Sequence, residues 1–325
     1  MMTVRIPAEG VRLGAWRVRP GGGLLGALLL VAAGCESSTG PDVNTLPTPI
    51  MFESSRGAGS GLYLTSVDGR HIVPFDVSSG GARTGDWSPD GRKIVFTRTG
   101  PRVQIWLANA DGTNPVQLTS SNGESDEPRW MPDGSSISYQ NNDDPFNWGI
   151  NAIKLDGSGA HRVPNTAKAF LGHSWSPDGR LVYGRYDAVP IPGGEYQSVG
   201  NLYIADTTQA APVRLTTNTD CGDSYPEWSP DGSKIVFASC AGSKSSIIVV
   251  NADGTGRVAL TSGEGIDARP TWSPNGGQIA FQRGAGNSAD VWVMNADGTG
   301  QVNITRGNPG FDGAPKWNRV RPMPG

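Results

Sequence analysis

The chain has 325 residues, a net charge of −3 and only 18% charged side chains, with Lys and Arg scattered along it. That argues against nucleic-acid binding, which needs a basic face. Glycine (46) and proline (25) are abundant, as in an all-β protein with many turns.

At the N-terminus, Arg5, Arg12, Arg17 and Arg19 precede ten mostly apolar residues, Leu24 to Ala33. Such a run falls short of the roughly 20 residues that span a bilayer as a helix. It predicts a secretory signal over residues 1–34. The sequence Ala32-Ala33-Gly34-Cys35 resembles a bacterial lipobox, although Ala32 stands where Leu is usual. The resemblance implies that Cys35 is lipidated and becomes the mature N-terminus; ordinary signal cleavage leaving a Cys is the alternative. By the same resemblance, Glu36 after the Cys points to the outer membrane, with the protein facing the periplasm. Residues 35–48, rich in Ser, Thr, Pro and Gly, then form a flexible tether.

Beyond the tether the chain repeats itself. Trp87-Ser88-Pro89-Asp90-Gly91 returns, with variations, at Trp130, Trp175, Trp228 and Trp272, and a sixth copy stops at Trp317. The Trp spacings are 43, 45, 53, 44 and 45 residues. A period of about 40–45 residues is that of a four-stranded propeller blade. In the unit at Trp228, a strand A carries Glu227-Trp228-Ser229. Pro230-Asp231-Gly232 turns the chain, with Pro presetting φ and Gly taking the left-handed position. Strand B follows at Lys234 to Phe237, strand C at Ile247 to Val250 and strand D at Arg257 to Thr261, each rich in β-branched or aromatic residues.

The phase of the repeat is informative. Ile50-Met51-Phe52-Glu53 matches strand B with no strand A before it, whereas Trp317 lies in a strand A with nothing after it. Five complete units and two halves predict a six-bladed β-propeller with four-stranded antiparallel blades over residues 49–320, followed by a tail at 321–325. The C-terminal strand would join the N-terminal strands, and closure would remove the sheet edges. One Trp per blade predicts packing between blades.

Trp-Ser-Pro-Asp-Gly before an aliphatic strand, and Asn-Ala-Asp-Gly-Thr-Gly at 251–256 and 295–300, resemble the propellers of the TolB family. The resemblance spans the whole predicted propeller and implies the fold. The same repeats occur in envelope scaffolds, peptidase propellers and sugar lyases, so function has to be read from a site. TolB itself also has an N-terminal α/β domain, for which the tether leaves no place, so TolB proper is not expected.

A–B and C–D turns would share one face and be uniform. B–C and D–A loops would share the other and vary, and variable loops on a rigid scaffold are where binding usually resides. The candidate binding residues are therefore Asp143, Phe146 and Trp148 in one B–C loop, and Glu195 and Tyr196 in the longest. Asp126, His173, Asp223, Asp267 and Asp312 join them from the D–A loops. Strand A being innermost, those acids would approach the channel mouth, where a carboxylate ring could hold a cation or a basic segment. Alternatively, each Asp caps its own loop, and the long loops pack over neighbouring blades.

Export permits disulfides. Hairpin register places Cys240 near Asp223, which predicts a Cys221–Cys240 bridge. The three His residues, His71, His161 and His173, fall in different units, too thin a set for a metal-dependent lyase. No Gly-x-Ser-x-Gly elbow occurs. The expectation is a monomeric, lipid-anchored envelope module that docks a protein or peptide on its loop face, with no cofactor, metal or nucleic acid. The alternative is a carbohydrate-binding or carbohydrate-acting propeller that uses channel-mouth carboxylates.

Overall fold

The computed structural model describes residues 49–320 apart from 57–59, 76, 78–80, 144–147, 191–194, 207–210, 220 and 264, and the backbone alone of Ala285. The expected signal, Cys35, the expected tether, the tail and Phe146 lie outside the described residues.

Among the described residues, twenty-four strands form six four-stranded antiparallel sheets, the blades of a β-propeller. Blade 1 takes its strand A from the far end of the chain. Asp312–Trp317 pairs with strand B, Ile50–Ser54, placing Ile50 opposite Trp317 and Ser54 opposite Asp312. The remaining strands A begin at Ala82, Ser125, Ala169, Asp223 and Asp267 for blades 2 to 6. The phase of the repeat thus decided the closure: a chain that starts at strand B has to borrow its strand A.

Each A–B turn is organised by its own residues. In blade 2 the Ser88 hydroxyl donates to Asp90 (2.7 Å) and accepts from the Lys93 N–H (2.9 Å), and Gly91 sits at φ +67°. The C–D turns repeat a second device. Asp253 accepts from both the N–H and the hydroxyl of Thr255, and Asp297 does the same for Thr299.

Every seam between blades holds one buried Trp. Trp87 packs with Met51 and Leu62, Trp130 with Val95 and Ile105, and Trp175 with Ile150 and Ala152. Trp228 packs with Val182 and Leu202, Trp272 with Val236 and Val249, and Trp317 with Ala280 and Val291. The one-Trp-per-blade pattern is therefore a packing pattern, each ring burying a large apolar area.

All six strands A also share an irregularity that the sequence did not announce. The residue three before each Trp has positive φ: Thr84 (24°), Glu127 (50°), Gly172 (84°), Tyr225 (52°), Arg269 (50°) and Ala314 (49°). Pairing with strand B shifts register at or beside this position in blades 2 to 6. A bulge of this kind re-aims side chains, and five of the six residues hold a backbone conformation that costs a non-glycine residue about 1–2 kcal/mol.

Candidate functional site

Ion pairs link the strands A of different blades. Glu127 is held by Arg269 (2.5 Å) and Arg129 (3.2 Å), Glu227 by Lys316, and Asp86 by Arg319 (3.1 Å). Arg269 also donates to the Tyr225 hydroxyl (3.3 Å), and Glu227 accepts from the Thr271 hydroxyl and the Trp272 N–H. Burial opposes ionisation of Glu127, yet Arg269 and Arg129 outweigh it and bring the carboxyl down to about 2. Glu227 moves the same way because Lys316 outweighs its burial. A cavity of about 20 Å³ lies among Thr84, Arg129, Tyr225, Glu227, Arg269 and Lys316, enough for about one water. Most of these residues stand one or three before a Trp, so aligning the copies of strand A exposes the signal.

Three of the acids, offered either as a channel-mouth ring or as caps of their own loops, make contacts within their own blades. Asp223, Asp267 and Asp312 are fully buried between strands of their own blades. Asp312 meets Arg56 at 2.5 Å and also accepts from Ser54 and Asn308. Asp267 takes a two-pronged bond from Arg283, at 2.7 and 2.9 Å. Asp223 has Arg257 at 3.6 Å and no hydrogen bond to either oxygen. The cations come from strand B (Arg283), from just past strand B (Arg56) or from just before strand D (Arg257), which a reading of strand A alone does not reveal. Asp143 accepts from the Gly123 N–H (2.6 Å), as a loop cap does.

Asp126 does reach the channel. It accepts from the Thr84 hydroxyl (3.0 Å), while the Thr84 N–H donates to Glu53 (2.6 Å). Burial raises both carboxyls above their ordinary range, and the nearby Glu127 adds to the effect on Asp126. His173 is sealed off. Its Nε2 lies 2.8 Å from the Ser138 hydroxyl, which also accepts from Trp175 Nε1. Burial first, and Arg129 second, hold its imidazole neutral, with its pKa down to about 3. Among the described residues no three His, Cys, Asp or Glu side chains are placed to share a metal ion.

The loop face carries its most distinctive feature at blades 3 and 4. Strands B and C of blade 4, Leu181–Pro190 and Tyr196–Ala205, are ten residues each, against five to eight in the other blades. They project as a paired arm. One side of the arm is braced. Arg185 stacks on Tyr203 (3.8 Å) and bonds Asp187 (3.1 Å), Asp187 accepts from the Tyr203 hydroxyl (2.6 Å), and Gln197 donates to Thr219 O. Behind it, Cys221 and Cys240 are joined by a disulfide, and Gly200 bridges Gly222. Gly222 has φ +114°, and a Cβ there would lie 2.3 Å from Gly200 N, so only glycine fits.

The other side is exposed and aromatic. Trp148 meets Phe170 edge-on with ring centroids 4.5 Å apart, and Phe170 lies 6.2 Å from Tyr186. Phe170, Tyr186 and Tyr196 are 39%, 45% and 70% exposed. Ala188 opposes Ser198, and Pro190 opposes Tyr196, all four exposed on this side. Trp148 and Tyr196 were singled out from sequence, and Glu195 is exposed beside Tyr196. Phe170 and Tyr186 were missed, because each sits inside a strand pattern that reads as core.

Architecture and repeat together define the class: a closed six-bladed β-propeller built on a Trp-Ser-Pro-Asp-Gly repeat. The family model of the TolB beta propeller domain matches residues 194–319. TolB from Acinetobacter baumannii superposes with TM-score 0.69 at 22% identity, over 83% of this chain and 66% of that one. A putative TolB from Agrobacterium tumefaciens gives 0.59 at 20% identity, over 82% and 90%. Kuenenia stuttgartiensis hydrazine synthase gives 0.68 at 16% identity, over 86% and 47%. This chain therefore spans just under two thirds of the A. baumannii protein. No curated protein is significantly similar in sequence. The chain is thus similar in fold to these TolB propellers, and its residues 194–319 match the TolB beta propeller domain.

Proposed function

We propose that this propeller is an exported, lipid-anchored envelope module that docks a protein or peptide on its loop face, at the aromatic ledge of blades 3 and 4. The observation that carries the reading is the row formed by half-buried Trp148 and exposed Phe170 and Tyr186, mounted on an arm braced from behind. Rigid, exposed aromatics supply contact area at low entropic cost, and they are what dominates binding hot spots. The TolB-type repeats support export, and the Ala33-Gly34-Cys35 segment supports the anchor.

The test is capture from an envelope extract of the producing cells by the purified full-length protein and by a Phe170→Ala/Tyr186→Ser double variant. A protein held by the native chain and lost by the variant is the expected result. Equal retention by both, or retention of nothing, overturns the reading. Detergent partitioning of a Cys35→Ser variant tests the anchor, which predicts loss of the membrane-bound fraction.

A second reading has its own observation. Glu53 and Asp126 are joined through Thr84, whose N–H donates to Glu53 and whose hydroxyl donates to Asp126, and paired carboxyls are the groups that acid–base work on a glycan draws on. Release of reducing sugar from cell-wall glycans, abolished in Glu53→Gln, would favour it over docking.

A further inference from the structure

In five blades the sheet closes its inner margin in one way. The residue just past the last A–B pair donates its N–H to the carbonyl of the residue just before strand A. The bonds are Ser55 to Phe311 (2.8 Å), Thr99 to Gly81 (3.0 Å), Asn142 to Glu124 (3.1 Å), Cys240 to Gly222 (3.0 Å) and Gly284 to Ile266 (2.9 Å). In blade 4 the corresponding pair is Tyr186 and Lys168, and no such bond joins them. Lys168, at φ +63°, instead gives its own N–H to Trp148 O (2.7 Å). Strand A of this blade also carries an extra residue in its bulge. Ala169, six before its Trp, pairs with Arg185, where Asp223 and Asp267 stand five before theirs.

Strand B of blade 4 therefore runs on past its partner. Antiparallel ladders alternate, each residue turning its backbone groups to one neighbour or the other. The Ser176 N–H bonds Arg180 O, so the even-numbered residues face strand A. Beyond Arg185, Tyr186 and Ala188 have no pairing strand on this side among the described residues, each with one N–H and one C=O turned outward. Pro190, with no N–H, ends the margin. Native sheets cover or blunt such edges, and the other five blades of this protein do so at this position.

From this juxtaposition we infer that the free margin of strand B at Tyr186–Pro190 accepts an extended peptide segment of a partner protein as an added strand, with the segment's alternate side chains resting on Phe170 and Tyr186. The inference deepens the docking reading above and rests on it. An alternating row of backbone donors and acceptors is matched in spacing by another extended backbone, and by neither a sugar nor a lipid. The aromatic rings beside the row accept apolar side chains that recur every second residue.

The test pans a phage-displayed library of random 12-residue peptides against the immobilised full-length protein, then measures the selected peptides on variants. Ala188→Pro removes one outward N–H while leaving the ladder to strand C intact, since Pro is tolerated at an edge. About tenfold weaker binding is expected for the loss of this bond. N-methylation of the peptide should weaken binding at alternate positions, a readout on the native protein that stands even if the variant misfolds. Peptides that bind Ala188→Pro and tolerate N-methylation at every position overturn strand addition. If those peptides still fail on Phe170→Ala, docking on the ledge survives while the strand inference falls. Selection of no peptide overturns both.

Discussion

His173 gives the most exposed prediction. Its imidazole is buried, has no hydrogen-bond partner at Nδ1, and has a pKa held down from 6.5 to about 3. The unfolded chain takes up a proton below about pH 6.5, whereas the folded protein keeps the ring neutral until about pH 3. Stability is therefore lost as pH falls through the unfolded value, at about 1.4 kcal/mol per pH unit once the unfolded ring is charged. Between pH 6.5 and 4.5 this amounts to about 2 kcal/mol. Glu53 and Asp126 work in the opposite direction, because their raised carboxyls bind protons in the folded state first. A His173→Gln variant shares those groups, so the difference between the two proteins isolates the imidazole. Urea unfolding at pH 7.0, 6.0, 5.0 and 4.5 should show the wild-type protein losing about 2 kcal/mol relative to the variant across the series. A difference that stays constant to within about 0.5 kcal/mol would refute the argument that burial holds this ring neutral.

Four further outcomes are expected. Arg269→Met leaves Glu127 buried with Arg129 alone, and urea unfolding should show a loss of about 3–5 kcal/mol. Reduction of Cys221–Cys240, 19 residues apart, should lower stability by about 3 kcal/mol and speed proteolysis near Gly222. Ala314→Gly should raise stability by about 0.5 kcal/mol, because Ala314 sits at φ +49°, which glycine adopts without strain. The turn carboxylates Asp90, Asp231, Asp253 and Asp297 all lie below their ordinary range, through hydrogen bonds from Ser or Thr. Their contribution is present above the unfolded value near 3.8 and is lost as pH falls through the lower folded values. Carboxyl chemical shifts followed below pH 4 should show these four titrating late.

The parts of this protein that could be read in advance are those made by residues close together in the chain. Ser88, Asp90 and Gly91 build a turn from their own hydroxyl, carboxylate and φ, wherever the turn lies in space. Repetition of that turn every 43–53 residues specifies blades, and its phase specifies the ring closure between Ile50 and Trp317. The tertiary structure decided what the acids do. Asp312 looks like a channel-mouth ligand from its own strand, yet its partner Arg56 is 256 residues away and arrives only when the ring closes. Trp148, Phe170 and Tyr186 come from three segments, and none signals the others, because no turn chemistry or period links them. The uncovered margin at Tyr186 depends on one extra residue in a bulge, a change of register that leaves the alternation of the sequence unmarked. Local backbone chemistry is written along the chain, whereas the pairing of side chains and edges across the ring exists only once the ring has formed.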